Sequence, residues 1–313
     1  MEKIDTSIKK VLVTGGTGFI GGHVVDVLLE QGYQVSVFDR HEILEKYKNP
    51  NVEVFLGDTR DYEALSEAIA KHDGVIHMAG ILGTQETIDK PIPSVETNII
   101  GGLNVAQACR FYKKKAVYIA VGNHWMNNSY SITKTTAERF MFMYNKEHKT
   151  QIAVVRGLNA YGPRQSHAPV RKIMPNFVLP ALRNQDILVY GDGEQKMDMI
   201  YVRDLADVLV RALVVEHGVY DKVFDAGTGL APTVNQIAET VIRVVSKTNS
   251  VASSLSKLSH ATMRPGEPER SAVVGDPETL RPLFGGELPK FVSLDDGVLR
   301  TVEYYRANLD RYQ

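Results

Sequence analysis

The sequence predicts an α/β fold: a doubly wound parallel sheet with a smaller, irregular C-terminal lobe. Three observations carry that prediction. The run Val11-Leu12-Val13-Thr14-Gly15-Gly16-Thr17-Gly18-Phe19-Ile20-Gly21 is a short apolar stretch that breaks into glycines and resumes with helical spacing. Residues 33–39 then read as a second strand, ending in Asp39 about twenty residues past the turn. Beyond them the first half keeps alternating apolar strands with helices, the pattern of a parallel sheet buried on both faces.

The glycine turn is a strand-to-helix junction built for an anion. Gly15 permits a tight turn because it has no Cβ. Gly18 lets the backbone approach a diphosphate, and Gly21 lets the helix pack on its strand. The helix start at Phe19 and Ile20 offers unpaired N–H groups and the positive end of a dipole. Asp39 is placed to meet a ribose hydroxyl and repels a 2′-phosphate, which favours NAD over NADP. Arg40 beside it leaves NADP open.

A third strand spans 52–56 and closes at Gly57-Asp58, the sheet edge where ligands bind in open parallel sheets. Residues 61–71 read as a helix with Leu65, Ala68 and Ile69 on one face. Residues 74–80 form a fourth strand ending in Met78, Ala79 and Gly80, small enough at its end for close approach of a cofactor; His77 in it reads as a packed histidine. A long helix is expected over 94–110, with Val95, Ile99, Leu103 and Ala106 on a stripe and a polar Asn98 that needs a partner. A fifth strand covers 116–121. A helix follows from Tyr130 to about residue 148, and Tyr130 and Lys134 lie one turn apart on one face. A sixth strand covers 151–155. Further strands are read at 187–190, 199–202 and 223–227, a tight turn at Gly191-Asp192-Gly193, helices from 203 to 215 and 233 to 245, a Ser-rich loop over 246–260, and a last helix starting near Ser293.

Bulk properties narrow the function classes. The chain has 313 residues, a net charge of −1 and an apolar fraction of 43%. That charge provides no strong field for nucleic acid or anionic membrane. No apolar run approaches the ~20 residues of a membrane span. The N-terminus is polar, unlike a secretory signal. The single cysteine, Cys109, reads as a small buried side chain and excludes an internal disulfide. A cytoplasmic protein without a metal site is expected.

Taken in order, these motifs resemble the extended short-chain dehydrogenase/reductase family, in its nucleotide-sugar epimerase, dehydratase and decarboxylase branch. The ordered series is the glycine turn, Asp58, His77 to Gly80, Asn98, Tyr130 with Lys134, Asn159 to Pro163, Gly191-Asp192-Gly193 and Arg264-Pro265-Gly266. The resemblance implies a Rossmann domain made of 1–164 with 198–227, and a substrate lobe made of 165–197 with 228–313. It implies bound NAD, a nucleotide-diphosphate sugar as substrate, and a homodimer through a four-helix bundle. Tyr130 would exchange a proton with a sugar hydroxyl. That requires bringing a phenol down ~3 pH units from ~10, about 4 kcal/mol, and Lys134 and the nicotinamide charge are the expected sources. Cofactor contacts are expected from Gly15, Gly18, Phe19, Ile20, Gly21, Asp39, Arg40, Asp58, Thr59, Met78, Ala79, Gly80, Asn98, Tyr130 and Lys134. Substrate contacts are expected from Gly83, Asn159, Arg164, Lys172, Tyr190, Lys196 and Arg264.

The chain departs from the family at the end of the fifth strand. The usual Ser or Thr would fall near Val121, where no hydroxyl stands. Asn123 is taken as its replacement, with His124, Ser129 and Ser131 as alternatives. Gly122-Asn123 replaces the Asp-Glu pair of the dehydratases, which argues against 4,6-dehydration. Trp125 sits in a shortened loop that leaves the sugar pocket open. The expected function is therefore an NAD-dependent 4-epimerase. A uronate decarboxylase or ketoreductase on the same scaffold is the alternative, with Arg164, Arg171 and Lys172 suited to a carboxylate. An NAD-binding sensor that has lost catalysis is the alternative of another class.

Overall fold

In the computed structural model, residues 3–41, 50–89, 91–248, 256–268 and 270–312 are described. Seven parallel strands make one sheet. In chain order they are β1 (Lys10–Thr14), β2 (Gln34–Asp39), β3 (Val52–Leu56), β4 (Gly74–His77), β5 (Lys115–Val121), β6 (Gln151–Gly157) and, after four short strands, β11 (Val223–Ala226). Their spatial order is β11-β6-β5-β4-β1-β2-β3. The chain winds outward from β1 through β2 and β3, then returns to the other side of β1 as β4. The reversal opens a crevice beyond the carboxyl ends of β1 and β4, where a doubly wound sheet binds its ligand.

Alternation along β1 shows why the sheet is covered on both faces. Val11 and Val13 point into one core with Val24 and Leu28 of α1 (Phe19–Glu30) and Leu205, Leu209 and Leu213 of α7 (Val202–Val214). Leu12 points the opposite way. It joins Leu65 and Ile69 of α2 (Tyr62–Ala70), Val105 and Cys109 of α4 (Gly101–Tyr112), and Ala137 and Met141 of α5 (Ser129–His148). Cys109 is buried, as expected. A third core joins α6 (Ile173–Leu182), α8 (Val234–Thr248) and α9 (Leu294–Ala307) through Phe177, Ile237, Val241, Val298 and Val302. Among the described residues no helix is long and apolar enough to cross a membrane.

Several expected elements are corrected. The helix expected over 94–110 begins as α3 (Pro91–Ser94), passes through a π-helical turn at Val95–Ile100 and continues as α4. The wide turn carries Asn98, whose buried amide bonds outside the helix. The helix of Tyr130 begins one residue earlier, at Ser129, because the Asn128 Oδ1 accepts from the Ser131 N–H at 2.9 Å. The tight turn at Gly191-Asp192-Gly193 is present. The strand before it, β8 (Ile187–Tyr190), pairs in parallel with β12 (Leu258–Ala261). That pairing also replaces the end of the loop expected over 246–260, and α8 covers its start. Residues 249–255 of that loop lie outside the described residues. Of the remaining short strands, β7 (Asn159–Tyr161) pairs with β10 (Met199–Tyr201) and β9 (Lys196–Met197) with β13 (Ala272–Val273).

Candidate active site

The three glycines do different jobs. Gly15 has φ +74, and a Cβ on it would stand 2.7 Å from the Ala79 backbone nitrogen, so the loops after β1 and β4 touch there. A Cβ on Gly21 would lie 2.2 Å from the Gly15 carbonyl oxygen. Gly18 differs: its nearest neighbour would be that same oxygen at 3.3 Å, and its open side faces outward at the start of α1. Gly21→Ala is therefore expected to cost about 3 kcal/mol by overpacking backbone on backbone. Gly18→Ala should leave the melting temperature nearly unchanged and weaken dinucleotide binding. Thermal unfolding with and without NAD separates the two.

Asp39 ends β2, where its carboxylate is held in place. Its Oδ2 accepts from the Thr17 N–H at 3.1 Å and the Thr17 hydroxyl at 2.7 Å, and its Oδ1 accepts from the Arg40 N–H at 2.7 Å. Asp58 is gripped by Arg60, whose Nε and Nη2 donate at 3.0 and 2.8 Å. Those bonds hold the Asp58 carboxyl below its usual range. Arg40 stands 4.0 Å from Asp58, and Thr59 is buried against Gly101.

The loop after β4 is fixed by two neighbours. Thr14 takes the Met78 and Ala79 N–H groups on its hydroxyl, each at 3.2 Å, and contacts the His77 Nδ1 at 2.7 Å. Asn98 accepts from the Ile81 N–H at 2.8 Å and donates to the Ile81 carbonyl and the Thr133 hydroxyl, at 2.9 and 3.0 Å. Its amide thus clamps the loop beside Gly80 to α5. His77 is buried, and burial pushes its imidazole down to about 3, so it stays neutral.

Tyr130 and Lys134 sit on the first turns of α5, beside the carboxyl ends of β4 and β5. The Lys134 Nζ lies 4.2 Å from the centroid of the buried Tyr118 ring, and its charge is felt at His77. Through His77 and Thr14 the pair connects to Gly15. Burial pushes the Tyr130 phenol up to about 12, opposite to the expected direction. The lysine cannot compensate, because burial lowers it to about 7 despite Glu138 pulling it up. Burial makes each group easier to hold neutral than charged.

Lys134 carries a stability cost that depends on pH. Its folded midpoint lies below the unfolded 10.5, so the unfolded chain binds the extra proton between about 7 and 10.5. Its contribution to stability is present above 10.5 and lost as pH falls toward 7. Lys134→Met is expected to stabilise the ligand-free protein by a few kcal/mol at pH 6, with the gain closing toward pH 10. Denaturant titrations at both pH values test the sign.

The end of β5 supplies no ready hydroxyl. A Cβ on Gly122 would stand 2.4 Å from the Leu158 Cδ1, so a side chain there requires that leucine to turn aside. The Asn123 Nδ2 turns to the Met126 sulfur at 3.4 Å, and His124 contacts the Gly122 carbonyl. Trp125 is exposed.

The expected substrate residues divide. Tyr190, Lys172 and Arg264 converge with Glu86, Glu267 and Arg171 below the Gly83 loop. Arg264 donates to both oxygens of Glu267, at 3.2 and 2.5 Å, and its guanidinium lies 5.1 Å from the Tyr190 ring centroid. Arg171 donates to the Tyr190 hydroxyl at 2.6 Å. Burial lowers Lys172, with Glu86 opposing and Arg264 adding to the drop. Gly83, at φ +119, leaves room for Glu86. Arg164, at φ 72, lies against α1 instead and donates to Asp26 at 2.5 Å. Asn159 donates to the Asp198 carbonyl at 3.0 Å, and Lys196 is exposed on β9.

A family model described as the NAD dependent epimerase/dehydratase family matches residues 11–227. The chain belongs to that family. It is 26% identical over 324 residues to a UDP-N-acetyl-alpha-D-glucosaminuronate decarboxylase of Bacillus cytotoxicus, covering 95% of this chain and 98% of that one. It is 30% identical over 251 residues to a putative UDP-glucose 4-epimerase of Methanocaldococcus jannaschii, covering 74% of this chain and 81% of that one. A crystal structure of UDP-glucose 4-epimerase with UDP-glucose from Thermotoga maritima superposes with a TM-score of 0.82 at 28% identity, covering 96% and 99% of the two chains. The protein is thus an NAD-dependent enzyme of the nucleotide-sugar epimerase, dehydratase and decarboxylase family.

The residues present fit NAD. The space outside Gly18, which any Cβ would begin to fill, lies at a helix start suited to a diphosphate. Gly15, Gly18, Phe19, Ile20 and Gly21 would hold that diphosphate and Asp39 the adenosine ribose. Sequence reasoning missed the supports beneath these residues: Thr14, Thr17, Tyr118, Glu138 and Arg156. Glu138 was the findable one, since it lies one helical turn beyond Lys134.

Proposed function

We propose that this enzyme is an NAD-dependent nucleotide-sugar 4-epimerase. The observation that carries the reading is the acid/base equipment at the carboxyl edge of β4 and β5. Tyr130 and Lys134 stand there, and no carboxylate pair accompanies them at Gly122 and Asn123. Epimerisation at C4 needs one proton-exchanging group, whereas dehydration needs a second acid to expel a hydroxyl. Bound NAD supplies the site that accepts and returns hydride. Tyr130 takes the C4 hydroxyl proton at its phenolic oxygen and returns it. Lys134 holds the ribose hydroxyls and lends positive charge to the phenolate. Arg264, Lys172 and Tyr190 hold the substrate diphosphate and sugar. The exposed Trp125 and the short loop around it leave room for the keto sugar to turn. In this reading residues 1–164 with 198–227 bind NAD and residues 165–197 with 228–313 bind the sugar nucleotide. The setting is cytoplasmic.

Proton NMR of UDP-glucose, UDP-galactose and their uronates incubated with the enzyme tests this. Interconversion at C4 without carbon dioxide is expected. Carbon dioxide release would replace the reading with a uronate decarboxylase, which the cation cluster of Arg171, Lys172 and Arg264 favours. No turnover across the panel, despite NAD binding, would point to a sensor.

The enzyme is also proposed to be a homodimer through α4 and α5. Ile100, Phe111, Ile132 and Met143 are exposed at 45, 71, 53 and 37% along or beside these helices, an apolar surface in need of cover. Light scattering should give twice the 34.8 kDa chain mass, and Phe111→Glu with Ile132→Glu should halve it.

A further inference from the structure

Lys134 is held from below by a side chain that no part of the proposed mechanism uses. Tyr118 is 1% exposed and points from β5 toward α5. Its ring face lies under the Lys134 Nζ, 4.2 Å from centroid to nitrogen, and its hydroxyl donates to the Lys134 backbone carbonyl at 3.1 Å. One residue thus meets the lysine at its backbone carbonyl and at its amine. His77 flanks the same ring, with centroids 5.8 Å apart.

We propose that Tyr118 is a positioning residue whose ring face seats the Lys134 ammonium. Burial strips the amine of water, and an aromatic face is one of the few partners that favours its charged form without pairing it off. A carboxylate at that spot would neutralise the amine and compete with ribose hydroxyls. A ring leaves its N–H donors free to point into the groove. Every charged group facing the amine is consistent with this. Tyr130 and Glu138 lie on its own helix, and Arg156 of β6 sits behind Glu138, which it occupies in an ion pair. His77 of β4 is held neutral by burial and hydrogen-bonds Thr14, so it places no second cation on the ring.

The inference extends the role given to Lys134, and its test does not depend on turnover. The protein is labelled with 13C,15N-lysine, and the Lys134 side-chain signal, assigned by its loss in Lys134→Arg, is titrated. Tyr118→Phe keeps the face and is expected to leave the midpoint within about 0.3 pH unit. In that background, phenylalanine carrying one, two and three ring fluorines drains the face of negative charge at nearly constant shape. The midpoint is expected to fall stepwise by about one unit in all, with NAD dissociation constants at pH 8 rising in parallel. A midpoint that ignores the fluorines would overturn the proposal, as would one that collapses in Tyr118→Phe alone. A stepwise fall in a protein that turns over no sugar nucleotide would leave the seat intact and remove the epimerase reading instead.

Discussion

Tyr130→Phe is expected to lower turnover of the preferred sugar nucleotide by ~10²–10⁴-fold, the usual contribution of a positioned acid/base. NAD affinity should change little, because the ring and Lys134 remain. The loss should also be pH-dependent. Burial sets the ligand-free phenol at about 12, so the folded protein resists its ionisation. Only the fraction ionised accepts a proton, and that fraction grows with pH. The parent enzyme should therefore gain rate with rising pH only up to about 7, where Lys134 begins to give up its ammonium. The Phe variant should lose the ascending limb. A kcat/KM profile from pH 6 to 10 on both proteins reads this directly. An unchanged limb in the variant would mean that another group moves the proton.

The same burial explains which parts of the site could be read from sequence. Strands and helices were legible because alternation along β1 and the 3.6-residue stripe of α2 are imposed by the water they exclude. The glycine turn was legible because its spacing answers to a backbone-on-backbone contact between Gly15 and Gly21. Side-chain direction was not. Arg164 was grouped with Arg171 and Lys172 as cations suited to a carboxylate, yet at a positive φ its guanidinium lies on Asp26. Asn98 needed a partner by composition alone, but its partners Ile81 and Thr133 follow from a π-helical turn that no periodicity announces. The Tyr130 phenol was expected to be lowered by a nearby cation. A cation that is itself being stripped of water cannot do that unaided, and a spacing of four residues does not reveal it.

Breaking the ion pair behind Lys134 should cost more than any surface change. Arg156 of β6 grips Glu138 through Nε and Nη2, at 2.9 and 2.6 Å, and the Glu138 side chain is 4% exposed. Glu138→Ala leaves a guanidinium beside Asp225 of β11, whose carboxyl burial raises and Arg156 lowers. A destabilisation of about 3 kcal/mol is expected, since the remaining charge stays largely out of water. The double change Glu138→Leu with Arg156→Met should recover most of that loss, because two desolvated charges disappear together. Recovery of stability need not bring recovery of function. Glu138 is also the acid that supports the charged form of Lys134, one turn away on α5. The double variant should fold with near-parental stability and still bind NAD more weakly at pH 8 than at pH 6. Chemical denaturation and NAD titration at the two pH values separate the roles. If binding in the double variant shows no such pH dependence, the pair serves the fold alone and the lysine keeps its proton by Tyr118 and the bound cofactor.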